Sequence, residues 1–540
     1  METPSQPIGD IVDQQAKKMK GSLKHWSALN DGLTMPDKKP KCKWHMNADK
    51  NSTPHHTEDW KKYTKILPNA LEAIGNTPMI KLNKIPQSEG LKCDVFVKCE
   101  FFNPGGSVKD RIGYRMVLEA EKQGLLKPGY TLIEPSSGNT GIGIALAAAV
   151  KGYRCIIVMS EKMSNEKVSV LQALGAEIVR TPVTAASDAP DGLFGVSYRL
   201  RKEIPNSIIL DQYSNPGNPL AHYDNTAEEI FHQCEGKIDM MVIGAGTGGT
   251  VTGIGRKLKE ISPQTKIVAA DPEGSVMALP ESLNKTDVTF YEVEGIGYDF
   301  IPTVLDRSVV DLWIKTNDKE SLPLARRLIR EEGLLCGSSC GAALSATLKA
   351  AKDLPAGKRV VILFADGIRN YITKFVCDQW MEGRMFKPAV NTNNHWWWDV
   401  PAYCLELQTL QTATTSMTCD RTMNVMKKFG VDQIPVVDCN NGGIIGVVTL
   451  QNLMTALVET RIKPNESVEK LISRIFPKVY KTTNLGVVSR ILEKEPYCLL
   501  LESHGSGASQ VDKPVGIATH IDLIQFITNK PESGTVTTKL

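Results

Sequence analysis

From about Lys65 to Met381, short β-rich apolar runs alternate with helical patterns. Val95-Phe96-Val97 precedes a helical pattern over Val108–Gly124, Thr131–Glu134 precedes Thr140–Lys151, and Cys155–Met159 precedes Lys167–Leu174. The order returns in Met240–Ile243 before Thr250–Glu260, and further strand-like runs follow at Val268–Ala270 and Val360–Phe364. Strands separated by helix-length segments predict parallel pairing with right-handed crossovers. The region is too long for one simple sheet, so the predicted core is α/β, with two parallel-sheet lobes and a cleft between them.

The flanks read differently. Residues 1–65 are polar, with Trp26, Trp44 and Trp60 as the large anchors, and such a stretch cannot bury enough apolar area to fold alone. It is predicted to be a mostly irregular arm, followed by a catalytic core over 66–385 and a polar linker over 386–400. Trp396-Trp397-Trp398 would expose a large apolar surface unless packed, and docking on the core or on a partner subunit is expected. Beyond them Ile444–Met454 reappears as Pro514–Ile524, a repeat of 70 residues between Thr449 and Thr519. Two such units predict a paired α+β module over 401–540.

A chain of 540 residues is consistent with about three folded units. With 41% hydrophobic and 23% charged residues, the composition argues against wholesale disorder. Sixty-three basic against 60 acidic residues leave +3, which gives no long-range field for nucleic acid or an anionic membrane. No uncharged apolar run approaches a membrane span, and Met1-Glu2-Thr3-Pro4 lacks the order of a secretory signal. Twelve cysteines without C-x-x-C clustering suit free thiols in a reducing compartment, so a cytoplasmic location is expected.

Three segments between strands and helices could carry chemistry. In Pro104–Arg111 a glycine turn leads into a helix opening near Lys109; a lysine there opposes the macrodipole, which lowers its amine pKa toward the neutral form a Schiff base needs. An ordinary exposed helix start is the alternative. Glu134–Gly141 gathers backbone N–H groups and hydroxyls at the positive end of a helix, which suits a carboxylate, or is simply a capped helix. Gly244–Thr250 lets backbone approach a phosphate; it lacks a Walker lysine and the acidic residue of a dinucleotide fold, so a phosphate monoester is favoured over NAD or ATP, with a bare glycine turn as the alternative.

A lysine, a carboxylate cradle and a phosphate cradle on one α/β scaffold describe pyridoxal phosphate with an amino-acid substrate. GGSVKDR, EPSSGNTG, GTGGT and EGIGYDFIP together resemble the fold type II pyridoxal enzymes and, within them, the cystathionine β-synthase family, over nearly the whole chain. The resemblance implies a lyase of cysteine biosynthesis that condenses L-serine with L-homocysteine to L-cystathionine and water (transsulfuration), and releases hydrogen sulfide from cysteine as a side activity. A cysteine synthase or serine dehydratase would share the core. By resemblance Lys109 carries the cofactor and shuttles the proton. Ser137, Gly138, Asn139 and Thr140 surround the substrate carboxylate, with Asn139 also on the cofactor's ring hydroxyl. Gly246, Thr247, Gly248, Gly249 and Thr250 hold the phosphate, and Ser339 faces the pyridine nitrogen. Tyr213, Gly297 and Tyr298 line the substrate side, although Tyr213 alone reads equally as a buried structural tyrosine.

The resemblance also implies a haem b on the arm. Cys42 and His55 are its axial ligands, with His45 and His56 as competing imidazoles, and Arg256 matches an arginine that pairs with the thiolate. Bottom-up, a Cys and a His in a polar tail are poor evidence. The terminal repeat resembles the paired nucleotide-sensing modules of the family. Asp432, Gln433, Thr519 and Asp522 would hold S-adenosylmethionine as an allosteric effector. Val431 stands where responsive relatives carry an aromatic, and Asn452 where the second repeat has Asp522. Ser262–Thr265 lacks the C-x-x-C of some relatives, which argues against a redox switch there. A homodimer or larger homo-oligomer is expected.

Overall fold

The alternating apolar runs form two sheets in the computed structural model, which describes residues 66–529 apart from 137, 162, 183–188, 289, 459–461, 475 and 506–509. β1 (Met79–Lys81) and β2 (Asp94–Cys99) open a six-stranded sheet. β3 (Thr131–Pro135), β4 (Arg154–Ser160), β5 (Glu177–Thr181) and β6 (Ser207–Ile209) form a four-stranded one. β7 (Met240–Gly244), β8 (Lys266–Pro272), β9 (Leu312–Thr316) and β10 (Arg359–Phe364) complete the first.

The larger sheet runs β1-β2-β10-β7-β8-β9, antiparallel only between β1 and β2. The smaller runs β5-β4-β3-β6 and is parallel throughout. Parallel strands need cover on both faces. In the larger sheet, Val242, Val268, Val360 and Ile362 pack on Leu328 and Leu344, while Met241, Ile267 and Val361 pack on Val251 and Ile254. That alternation follows from the two-residue period of a strand. In the smaller lobe the helices Lys109–Lys122 and Asn139–Lys151 supply Ile112, Met116, Ile142 and Ile144 to a core shared with Leu132 and Ile157.

The terminal repeat folds as helix–strand–strand–helix twice. Cys419–Phe429, β11 (Gln433–Val437), β12 (Ile444–Thr449) and Leu450–Val458 make the first unit. A short β13 (Lys478–Tyr480) precedes the second: helix Leu485–Leu492, β14 (Tyr497–His504), β15 (Val511–Thr519) and helix His520–Thr528. Val447, Tyr497, Leu499 and Leu501 form a core between the units.

The tryptophan cluster packs elsewhere than expected. Trp397 and Trp398 enter a core with Leu485, Val488, Ile491 and Leu500, and Trp396 stacks on Phe526 with ring centroids 5.7 Å apart. Their surface is the terminal module itself, because Gly486 leaves a flat site for the Trp398 indole. The module meets the catalytic lobe through Arg490, whose Nε lies 2.9 Å from the buried Glu382, and through Arg384, 3.2 Å from Glu495.

Candidate active site

In α/β sheets ligands collect outside the carboxyl ends of the strands, and the three sequence segments all sit there. Lys109 follows β2, Asn139 and Thr140 follow β3, and Gly246–Thr250 follows β7. They converge on one cleft of about 470 Å³, which Lys109, Asn139, Thr140 and Ser339 line together. Gly246, Thr247, Gly248 and Thr250 face it from the glycine turn, Gly297 and Tyr298 from the loop after β8.

Lys109 is the first residue of its helix, and its backbone N–H donates to Ser107 Oγ at 3.2 Å. Burial lowers its amine to about 8, against the opposing pull of Asp366. Desolvation in the closed cleft, more than the helix dipole expected from position, lowers it. The amine has no hydrogen-bond partner among the described residues, so it is available to a ligand. Asp110 next to it turns inward and accepts the Gly105 N–H at 2.5 Å, which closes the turn.

In the second segment Ser136 Oγ accepts the N–H groups of Gly138, at 3.1 Å, and Gly141, at 3.0 Å. The Gly138 N–H is thereby already used. Asn139 Nδ2 donates to Asp366 Oδ2 at 2.7 Å, and Asn370 Nδ2 donates to Asn139 Oδ1 at 2.9 Å. Thr140 Oγ1 donates to Gln212 Oε1 at 2.6 Å. Ser137 lies outside the described residues. Glu134, whose buried carboxyl is pushed up to about 8, accepts the Asp211 and Gln212 N–H groups at 3.0 Å each and so ties β3 to the loop carrying Tyr213.

In the third segment Gly246 approaches the Gly295 carbonyl so closely that a Cβ would sit 2.5 Å from its oxygen. The threonine hydroxyls of 247 and 250 line the cleft beside that backbone, and the donor set fits a phosphate monoester. Gly249 lies behind the cleft wall, against Asn218. Ser339 is buried in the first turn of the helix Ser338–Ala350, where its neutral hydroxyl faces the cleft.

A family profile described as "Pyridoxal-phosphate dependent enzyme" matches residues 70–366, and one described as "CBS domain" matches residues 408–459. The chain is 54% identical over 502 residues to the cystathionine beta-synthase of Apis mellifera, covering 92% of this chain and 98% of that protein. The chain belongs to the cystathionine β-synthase family. It is 50% identical over 520 residues to the cystathionine beta-synthase of Mus musculus, covering 93% and 92% of the two chains. Among solved structures it resembles a hydrogen sulfide-producing enzyme from Fusobacterium nucleatum, 36% identical with a TM-score of 0.53, over 57% of this chain and 100% of that one.

Tyr213 is buried behind Tyr298: the rings meet edge to face at 5.5 Å and the two hydroxyls are 3.3 Å apart. Cys42, His45, His55 and His56 lie outside the described residues. Arg256 forms an ion pair with Asp306, at 2.8 Å. Ser262 and Thr265, in place of a C-x-x-C, share a hydroxyl–hydroxyl bond of 2.8 Å. The eleven described cysteines are all free. Thr519 and Asp522 bond each other, at 2.6 Å side chain to side chain, as the capping box of the last helix. Asp432 is exposed and Gln433 begins β11, and no hydrogen bond among the described residues joins this pair to Thr519 and Asp522.

Sequence reading missed several groups in the cleft. Asp366, just past β10, holds Asn139 and also accepts the Tyr371 hydroxyl; its place beyond a parallel strand was the available signal. Lys167 and Lys374 both pair with the buried Glu294, and no local motif marks that cluster, since the two lysines stand 127 and 80 residues from Glu294 in sequence.

Proposed function

We propose that Lys109, the turn at 138–140 and the turn at 246–250 are the working parts of a β-replacement site that joins L-serine to L-homocysteine, giving L-cystathionine and water. The chain is a pyridoxal-phosphate-dependent lyase of the cystathionine β-synthase family. The observation that carries the residue assignment is the convergence of a lowered lysine amine and a phosphate-suited turn on one cleft. Thr247, Thr250, Gly246 and Gly248 would hold the cofactor phosphate, Asn139 its ring hydroxyl and Ser339 its ring nitrogen. When bound, pyridoxal phosphate supplies an electron sink for negative charge at the substrate Cα.

The chain's own residues do the rest. Lys109 Nζ takes the proton from serine Cα and passes it to the hydroxyl, which leaves Cβ as water; the thiol then gives its proton to Nζ as its sulfur bonds to Cβ, and Nζ delivers that proton to Cα. The backbone N–H groups of Asn139 and Thr140 orient the serine carboxylate at the start of their helix. Tyr298, backed by Tyr213, covers the substrate side and excludes water. Hydrogen sulfide release from cysteine uses the same Cβ cleavage; its support is the similarity to the hydrogen sulfide-producing enzyme of Fusobacterium nucleatum.

Further assignments rest on family membership. Cys42 and His55 supply a thiolate and an imidazole, a donor set suited to the iron of haem b. S-adenosylmethionine is assigned to the terminal pair: both capping bonds use Asp522 Oδ2, which leaves Oδ1 for a ribose hydroxyl. Phe102, 57% exposed, and Leu335, 55% exposed, support a homo-oligomeric contact. A cytoplasmic location is consistent with the free cysteines, and no helix among the described residues is long and apolar enough to cross a membrane. The deciding experiment compares serine plus homocysteine with serine plus sulfide. Cystathionine as the main product supports the reading; cysteine as the exclusive product would replace it with a cysteine synthase.

A further inference from the structure

Behind the two threonines of the glycine turn lies a layer of polar side chains that no motif announces. The short helix Gly217–Ala221 runs directly into a π-helical turn, His222–Thr226. Such turns are rare and often occur at functional sites. The helix places Asn218, and the turn His222, against the phosphate loop, both fully buried.

Asn218 Nδ2 donates to the Gln212 carbonyl at 2.8 Å and to Thr247 Oγ1 at 3.0 Å. The carbonyl accepts only, so the amide orientation is set and Thr247 Oγ1 is an acceptor. The Thr247 proton is left for another partner. His222 repeats the arrangement: its Nε2 lies 3.2 Å from Thr250 Oγ1 and its Nδ1 lies 3.0 Å from Thr226 Oγ1. Burial, reinforced by the charges of Arg111 and Lys109, holds the imidazole neutral. One ring nitrogen therefore donates and the other accepts.

We infer that Asn218 and His222 are positioning residues that occupy the acceptor side of Thr247 and Thr250, so that both hydroxyls present their protons to a phosphate monoester. For His222 the Thr226 hydroxyl donates to Nδ1, and Nε2–H donates to Thr250. The reason is the chemistry of the anion: phosphate only accepts, and a hydroxyl whose proton went to the imidazole would turn lone pairs toward it. Charge-assisted donors are also the stronger ones. The same layer explains Gly249, because a Cβ there would lie 1.9 Å from Asn218 Oδ1. Glycine at 249 admits the amide behind the turn. This inference deepens the reading of 246–250 as a phosphate cradle and rests on it.

The test compares affinities of the apoenzyme for pyridoxal phosphate and for pyridoxal, which lacks the phosphate. Asn218→Leu and His222→Leu should each weaken pyridoxal phosphate by about tenfold or more, with pyridoxal unchanged. His222→Gln keeps a donor for Thr250 and should recover most of the loss. Thr226→Val, nearly isosteric, should weaken pyridoxal phosphate in the same sense, and it carries the comparison if His222→Leu does not fold. Equal losses for both ligands would overturn the inference, as would wild-type affinity in Thr226→Val and His222→Leu. Thr247→Val and Thr250→Val separate the two readings. If they leave pyridoxal phosphate affinity unchanged, the cradle itself is wrong; if they lose affinity while the Asn218 and His222 variants do not, only the second layer is wrong.

Discussion

Lys109 has a consequence that can be read at a single atom. Burial lowers its amine to about 8, so the neutral, nucleophilic form is the minority below that pH and the majority above it. The rate at which apoenzyme captures pyridoxal phosphate, followed by absorbance, should therefore rise with pH through about 8 and then level off. A midpoint at the ordinary lysine value would contradict the desolvation argument. Lys109→Ala should lose turnover by about three orders of magnitude or more, because one change removes both nucleophile and base. Its apoenzyme should still take up pyridoxal phosphate through the glycine turn. Steady-state rates within tenfold of the parent would overturn the assignment.

Elements place these atoms by close approach of backbone. Gly138 is in a conformation that L side chains rarely adopt, with φ 134°, and a Cβ there would lie 2.4 Å from Lys167 Cδ. Gly138→Ala must move either the turn or the lysine that pairs with Glu294. It should cost roughly 1–3 kcal/mol of stability and raise KM for serine more than it lowers the melting temperature would imply. Thermal denaturation and a serine titration check both parts; an unchanged KM would show that the turn does not seat the substrate. The Asp366 carboxylate works at the same scale, because it ties β10 to Asn139 across the cleft.

At the scale of the molecule the question is what the terminal module contributes. Both sheets of the catalytic lobe are complete by Phe364, so a chain ending at Asn394 should fold and retain serine–homocysteine turnover. It loses Arg490 from the buried Glu382, and Arg384 loses Glu495, while Lys387 remains 3.3 Å from Glu382. A melting temperature several degrees lower is the expected result, from about 1–3 kcal/mol of lost hydrogen bonding. An insoluble or inactive fragment would mean that the module is part of the catalytic fold. Trp397 and Trp398, already packed within that module, argue for the independent core.

Local patterns along the chain were enough for the strand–helix alternation, the two-lobed α/β class and the three loops that meet in the cleft. Each of those depends on neighbours in sequence: a two-residue period marks a strand, and a glycine-rich stretch after it marks a turn. The terminal repeat was legible for the same reason. Asp366, the Glu294 cluster, Asn218 and His222 were not, because their partners come from distant segments and their residue types are unremarkable in isolation. The cause of the lowered Lys109 amine was likewise invisible. A helix dipole can be guessed from sequence, but burial is a property of the closed cleft, which exists only once Lys109, Asn139, Thr250 and Ser339 have been brought together.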